Sequence, residues 1–113
     1  MELSTLTGLS PSLLEQLRAV FARYPDVQKV LIYGSRAKGD FKPGSDIDLA
    51  VFASDMSPTR FAGLWGMLDE LPLVFRLDVV HWDRLDNATL KQRIVDEGIE
   101  LVRRHAPAPV TGV

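Results

Sequence analysis

The chain has 113 residues, of which 46% are hydrophobic and 25% charged, and it carries a formal net charge of -2 with a pI near 5.6. This length suits one domain with a single core, and the composition is that of an ordinary globular protein. An acidic chain gives no electrostatic reason to expect direct nucleic-acid binding, and the absence of cysteine excludes disulfides, thiolate zinc sites and a cysteine nucleophile.

The first predicted elements are a helix and a buried strand. Residues 1–9 are expected to form a loose lead-in. Ser10-Pro11 is a helix start signal, with a capping serine followed by a proline whose missing N–H costs nothing there. Apolar residues then follow at helical spacing until Tyr24-Pro25-Asp26 ends the helix. The nearly continuous apolar run at 27–33 predicts a strand buried on both faces.

The middle and end of the chain continue the alternation of helix and strand. We predict a short helix at 35–38, a loop at 41–45 and a second strand at 46–52. Ser57-Pro58 repeats the start signal for a helix over 58–71, on whose apolar stripe Trp65 is a core or interface residue. A third strand at 73–80, a helix at 83–97 broken near Asp86, and a short strand at 99–102 follow. Residues 103–113 are expected to be a flexible tail.

Carboxylates lie within the apolar strands, where a charge needs an explanation. Asp46 and Asp48 occupy alternate positions of the second strand, so they project side by side from one face. Two adjacent anions repel each other and lose hydration unless a cation sits between them. The third strand carries a similar carboxylate, Asp78. This pattern predicts a divalent metal site.

A turn that suits an anion follows the first strand. Gly34-Ser35, at the start of the short helix, offers backbone N–H groups and a hydroxyl. A phosphate site beside a metal site predicts a nucleoside triphosphate. The glycine spacing fits neither a P-loop nor a dinucleotide fingerprint, and an EF-hand loop fails because Ala50 and Val51 lie where a ligand and a glycine are required.

These parts fit two-metal phosphoryl transfer. Two Mg²⁺ ions about 3.5–4 Å apart need bridging carboxylates, which Asp46 and Asp48 supply. We expect Asp78 to bind the metal nearer the acceptor and to help deprotonate its hydroxyl. Phosphate oxygens of the nucleotide would complete the metal shells, because Mg²⁺ rarely takes an all-protein cage.

At this point the chain resembles a known family. Gly34-Ser35, ten intervening residues and then Asp46-Ile47-Asp48 resemble the signature of the DNA polymerase β-type nucleotidyltransferases. The form Gly-Ser-Arg-Ala-Lys-Gly-Asp that begins at Gly34 resembles the minimal nucleotidyltransferase branch, and the resemblance covers about residues 10–102. It implies a single-domain α/β fold with a mixed β-sheet backed by α-helices. It also implies roles for six residues: Gly34, Ser35 and Arg36 as nucleotide contacts, and Asp46, Asp48 and Asp78 as catalytic metal ligands.

The resemblance also implies a partner and a reaction. Members of the minimal branch are typically encoded with a HEPN-domain protein, and the nucleotidyltransferase is the antitoxin that transfers AMP from ATP to a tyrosine of the HEPN ribonuclease. Larger relatives carry an additional domain for the acceptor, so here we expect a hetero-oligomer in which another protein supplies it. Two alternatives stay open. One is an antitoxin that neutralises its partner by contact without catalysis, and the other is a small-molecule or RNA-end nucleotidyltransferase with a separate acceptor-binding subunit.

The remaining polar residues are less specific. Arg36, Lys38 and Lys42 either neutralise phosphates or are solvated loop charges, and Arg76 either pairs with a carboxylate or touches the nucleotide. His81 and His105 are expected to be surface or strand-end residues and not bases. No apolar stretch approaches the roughly 20 residues of a membrane span, and the N-terminus lacks the basic start of a signal peptide. We therefore expect a cytoplasmic protein with no membrane partner.

Overall fold

The structure, a computed structural model, describes residues 2–42 and 44–104. Within them, helices and strands alternate along the chain, as the sequence predicts. The elements are α1 (Leu3–Thr7), α2 (Pro11–Phe21), β1 (Lys29–Tyr33), α3 (Ser35–Lys38), β2 (Ile47–Phe52), α4 (Pro58–Asp69), β3 (Leu77–His81), α5 (Ala88–Glu97) and β4 (Ile99–Arg103). A 3-10 turn, Trp82–Arg84, connects β3 to α5.

The four strands form one mixed sheet in the order β3-β2-β1-β4. Strand β1 is antiparallel to both β2 and β4, whereas β2 and β3 run parallel. The two central strands are therefore β1 and β2, and β3 is an edge strand. A single α/β domain with a mixed sheet backed by helices is confirmed.

Helices cover the sheet on both faces, which explains why the central strands are apolar almost throughout. The larger core lies between the sheet and helices α2 and α4, and includes Leu17, Phe21, Ile32, Leu49 and Leu64. The smaller core lies under α5 and consists of Leu31, Tyr33, Ala50, Phe52 and Ile94.

The helix start signals read from the sequence are confirmed in the structure. The Ser10 hydroxyl accepts a hydrogen bond from the Leu13 N–H at 3.1 Å, and the Ser57 hydroxyl accepts one from the Arg60 N–H at 3.1 Å. The predicted break near Asp86 is also present, because α5 starts only at Ala88. The Asn87 side chain caps that helix by accepting from the Leu90 N–H at 3.0 Å.

The chain ends depart from the sequence-based expectation. The lead-in is not loose: residues 3–7 form α1, and Leu9 is only 1% exposed. At the other end, strand β4 extends to Arg103, and the Arg104 N–H donates to the Gln28 carbonyl at 2.8 Å. Residues 103 and 104 therefore belong to the fold and not to a tail, and the rest of the proposed tail, 105–113, lies outside the described residues.

The third strand is shorter than predicted. It starts at Leu77 and not at residue 73, because its only neighbour, β2, starts at the partner residue Ile47. The Arg76 carbonyl still accepts from the Ile47 N–H at 2.9 Å, but residues 70–76 have no strand register with β2 and form an irregular connection. Asp46 lies just ahead of β2 and not inside it, because the pairing of β2 with β1 ends at Asp48 and its pairing with β3 ends at Ile47. In the part of the chain that is described, no helix is long and apolar enough to cross a membrane.

Candidate active site

Two of the predicted carboxylates lie next to each other at one end of the sheet. Asp48 of β2 is the register partner of Asp78 in the parallel strand β3. On the other side of β2, Asp48 is the register partner of Tyr33 in the antiparallel strand β1. Register partners project from the same face of a sheet, so Tyr33, Asp48 and Asp78 form a row across three strands.

The surroundings of Asp48 disfavour its charged form. Burial raises the pKa of Asp48 above the usual value of an aspartate, and the neighbouring charges of Asp78 and Asp46 raise it further. Arg93 of α5 acts in the opposite direction, but it is the last of the causes. A half-buried carboxylate that faces two others is a place where a cation is favourable. The electrostatics around Asp48 therefore favour a cation at this end of the sheet.

These carboxylates do not form a closed metal cage by themselves. No three carboxylate or imidazole groups in residues 2–42 and 44–104 are arranged so that they hold a metal ion alone. Asp46 and Asp78 are exposed, whereas Asp48 is half-buried. An open set of oxygen ligands is the arrangement that suits Mg²⁺, which keeps waters or substrate phosphates in its shell.

Gly34 connects the phosphate turn to the carboxylates. Its backbone has φ 75° and ψ -152°, a region that only glycine occupies without strain. A Cβ atom at this position would also collide with the Asp48 Oδ2 atom. The backbone of Gly34 therefore lies directly against the carboxylate, where a side chain has no space.

Helix α3 is anchored at the end of β1 by the same glycine. The Ala37 and Lys38 N–H groups both donate to the Gly34 carbonyl at 3.1 Å. Ser35 is the first residue of this helix and is half-buried. The first turn of a helix has N–H groups without intrahelical partners, so Ser35 lies where an anion is favoured.

Arg36 does not have the nucleotide-binding surroundings that the sequence suggested. It is 2% exposed, and its guanidinium donates to the Thr7 carbonyl at 3.1 Å and to the Ser45 carbonyl at 3.0 Å. The rings of Phe41 and Phe75 each lie 4.9 Å from its Cζ atom. With this burial Arg36 offers almost no surface to a ligand. It ties the lead-in to the loop before β2.

His81 is a strand-end residue, which was one of its two expected positions, but it does not lie at the surface. It is buried, its ring stacks on Phe61 at 4.9 Å, and its Nε2 atom lies 2.7 Å from the Ala53 carbonyl oxygen. These contacts make His81 a packing residue. Its expected lack of a role as a base agrees with its position at the far end of β3 from Asp78.

Two residues near the site were missed from the sequence. Burial, followed by the charges of Asp78 and Asp48, raises the pKa of Tyr33 to about 12, so its hydroxyl stays neutral at physiological pH. Antiparallel pairing of the first two strands, had it been assumed, would have placed Tyr33 opposite Asp48. Arg93 comes from α5, which packs on the sheet through its neighbour Ile94. No local pattern marks it.

A cleft opens beside the carboxylates at the β3 edge of the sheet. It has a volume of about 670 Å³ and is lined by residues of α4, of the 70–76 connection and of β3, among them Asp78, together with Asp46. Arg76 also lines it, and its side chain has no ion pair within 4 Å among the described residues. Pairing with a carboxylate, one of the two roles considered for Arg76, is therefore not observed among the described residues.

Comparison with known proteins agrees with this geometry. Residues 15–106 match the family model described as polymerase beta, nucleotidyltransferase. No curated protein sequence matches the chain. Among solved structures, the chain is similar to one in a toxin–antitoxin crystal structure with AMP-PNP, with a TM-score of 0.66, 24% identity, and coverage of 81% of this chain and 74% of that one.

Two other solved structures show the same fold. A chain of an MntA-HpeT toxin–antitoxin mutant has a TM-score of 0.60 and 26% identity, covering 83% of this chain and 72% of that one. A putative nucleotidyltransferase from Sulfolobus solfataricus has a TM-score of 0.53 and 21% identity, covering 81% of this chain and 78% of that one. Because the family model spans most of the sequence, the chain belongs to the polymerase β nucleotidyltransferase family.

Proposed function

We propose that this chain is a Mg²⁺-dependent nucleotidyltransferase that acts as an antitoxin. It transfers AMP from ATP to a tyrosine hydroxyl of a HEPN ribonuclease toxin and so inactivates the toxin. The observation that carries the proposal is the register of Asp48 with Asp78, with the backbone of Gly34 directly against Asp48. Membership of the nucleotidyltransferase family gives this arrangement its chemistry.

Each residue of the site has a separate task. Asp46, Asp48 and Asp78 would hold the Mg²⁺ ions, which polarise the α-phosphate and neutralise charge in the transition state. Gly34 lets the triphosphate approach the backbone, and Ser35 donates its hydroxyl to a phosphate oxygen. The acceptor oxygen forms a bond to the α-phosphorus, the bond to pyrophosphate breaks, and Asp78 takes the acceptor proton and passes it to solvent.

The nucleotide and the partner are supported by two different kinds of observation. A structure similar to this chain contains AMP-PNP, an ATP analogue, and two similar structures are of toxin–antitoxin pairs. The HEPN class of the toxin and the tyrosine acceptor are implied by the resemblance of the Gly-Ser-x10-Asp-x-Asp motif to the minimal branch. Together they favour a protein acceptor over a small molecule.

The test uses ATP labelled at the α-phosphate or, in a parallel reaction, at the γ-phosphate. The chain is incubated with Mg²⁺ and the protein encoded beside it, and the partner is examined by autoradiography and intact mass. We expect the α-label alone to appear on the partner, and EDTA to prevent it. Asp48→Asn should abolish the transfer, whereas Asp40→Asn, the same change at an exposed loop carboxylate, should not. A labelled partner in the Asp48→Asn reaction would contradict the proposed site.

A further inference from the structure

The cleft beside β3, here called the edge cleft, shares Asp46 and Asp78 with the proposed metal site, but its other lining residues have no role in the chemistry proposed above. Its apolar wall is formed by Trp65 of α4 with Leu73 and Phe75 of the irregular connection. Trp65 is 37% exposed, although it lies on a helix whose other large apolar residues pack against the core. An apolar wall of this kind next to a reaction centre is typical of a surface that is covered by a ligand or a partner.

The polar part of the edge cleft is mainly acidic. Asp46, Asp69 and Asp78 line it, opposed by Arg76. Asp69 is the last residue of α4, where the helix dipole disfavours a negative charge, and it has no ion pair within 4 Å among the described residues. Asp69 therefore does not stabilise the end of α4, and its presence there needs another explanation.

The order of the strands separates this cleft from the phosphate turn. Gly34 follows β1, Asp48 is on β2, and Asp78 is on β3, so Asp48 lies between the turn and the edge cleft. In phosphoryl transfer the attacking and leaving oxygens are roughly in line, on opposite sides of the phosphorus. A triphosphate held at Gly34 and Ser35 thus leaves the β3 side for the acceptor.

We propose that the edge cleft binds the acceptor segment of the partner protein, and that this segment carries an aromatic hydroxyl residue flanked by lysine or arginine. The inference rests on the proposed function and adds the surface and the acceptor chemistry. The wall around Trp65 buries the aromatic ring, and Asp69 at the rim pairs with the flanking cation. A basic segment also suits the loaded site, because the triphosphate and the carboxylates together carry more negative charge than two Mg²⁺ ions neutralise.

The test measures partner binding separately from catalysis, with two matched pairs of variants. Asp69→Lys is compared with Asp96→Lys, which makes the same charge change near the C-terminal end of α5, away from the edge cleft. Trp65→Ala is compared with Val95→Ala, which truncates an exposed apolar residue on α5. Binding of the protein encoded beside this chain is measured by calorimetry, together with the Kd for ATP and the KM for the partner.

We expect Asp69→Lys and Trp65→Ala each to weaken partner binding by about tenfold or more, because a central aromatic anchor and a charge pair are lost. The ATP affinity should not change, and Asp96→Lys and Val95→Ala should bind the partner within about twofold of wild type. Thermal denaturation separates weak binding from poor folding, and Asp69→Asn serves where Asp69→Lys is unstable.

Three results would overturn the inference. One is wild-type affinity in both edge-cleft variants, and another is no binding of the partner by the wild type. The third is tighter binding of an RNA oligonucleotide by Asp69→Lys, which would indicate an anionic occupant. Failure of the proposed function is a different result: the wild type binds the partner but transfers no AMP, and the binding comparison still tests the edge cleft.

Discussion

Asp48 and Asp78 are register partners in neighbouring parallel strands, which places two carboxylates side by side on one face of the sheet. A fold optimised for stability alone would not pair like charges in this way, since the half-buried Asp48 is disfavoured in its ionised form. A cation bound at these carboxylates, as the proposed function requires, would offset the repulsion. In the absence of metal, replacing one carboxylate of the pair should therefore make the protein more stable than wild type.

The first prediction concerns stability without metal. The pKa of Asp48 is raised in the folded protein above its ordinary value of 3.8, first by burial and then by the other two aspartates. Stability from this group is therefore present at low pH and is lost as the pH rises through the raised pKa. At neutral pH in EDTA, Asp48→Asn should melt at a higher temperature than wild type. The difference in melting temperature should become smaller as the pH is lowered towards the ordinary pKa of aspartate, about 3.9.

The measurement is thermal denaturation of both proteins across that pH range, with and without Mg²⁺. Comparing the variant with wild type at each pH removes the effects of the other titrating groups. Mg²⁺ should stabilise wild type more than Asp48→Asn, because the variant lacks one ligand. A melting difference that does not depend on pH would contradict the proposed electrostatic cost.

The second prediction separates the backbone of the phosphate turn from its hydroxyl. Gly34→Ala should destabilise the fold by about 1–3 kcal/mol, because φ is positive at this position. The added Cβ also displaces the Asp48 carboxylate, so transfer should be lost almost completely. Ser35→Ala removes one donor to a phosphate and should reduce transfer by about tenfold, with little change in stability. Equal effects of the two variants on transfer would contradict the assignment of the close contact to the glycine backbone.

What the sequence predicted correctly depends on local patterns. The apolar runs predicted β1 and β2, and the Gly34-Ser35 turn was visible as a break after a strand. The common face predicted for Asp46 and Asp48 assumed that both lie in one strand, whereas Asp46 precedes β2. The third apolar run, which carries Asp78, predicted β3, but not that this strand runs parallel to β2. These elements can be predicted from the alternation of side chains along a strand and from the glycine that follows a strand in a turn.

What the sequence did not predict depends on contacts between distant parts of the chain. Arg36 was expected to bind nucleotide, but its donors reach the Thr7 carbonyl, which becomes available only because α1 packs beside α3. The same docking makes the lead-in part of the fold. Arg93 comes near Asp48 because α5 packs on the sheet. The spacing of charged residues along α5 does not predict that packing.

The third prediction tests the structural role of Arg36. Arg36→Met keeps most of the side-chain length but loses both hydrogen bonds to carbonyls and the charge between the two phenylalanine rings. We expect a loss of about 2–4 kcal/mol in the free energy of unfolding, measured by urea denaturation. Lys38→Met, an exposed cation in the same helix, should change stability by less than about 0.5 kcal/mol. If Arg36→Met kept full stability but bound ATP much more weakly, Arg36 would be a nucleotide ligand after all.

The last prediction distinguishes an antitoxin that works by catalysis from one that works by contact. Asp78 lies on the edge strand, on the side of Asp48 away from the phosphate turn, so Asp78→Ala should spare much of the affinity for MgATP. Trp65 and Asp69 remain in the edge cleft, so the variant should also still bind its partner. It should transfer no AMP, because the ligand of the acceptor-side metal is gone.

The test is the growth of cells that produce the toxin together with the Asp78→Ala variant. A catalytic antitoxin loses protection with this variant, whereas one that acts by contact keeps it. Growth is measured alongside the intact mass of the partner purified from the same cells. The control must be an aspartate without a structural role, which excludes Asp83, because its carboxylate accepts a hydrogen bond from the Ala53 N–H at 2.7 Å. Asp40→Ala, at an exposed loop position, serves instead and should protect fully and yield modified partner. Full growth with Asp78→Ala and an unmodified partner would show that contact alone is sufficient, and the catalytic antitoxin would have to be abandoned.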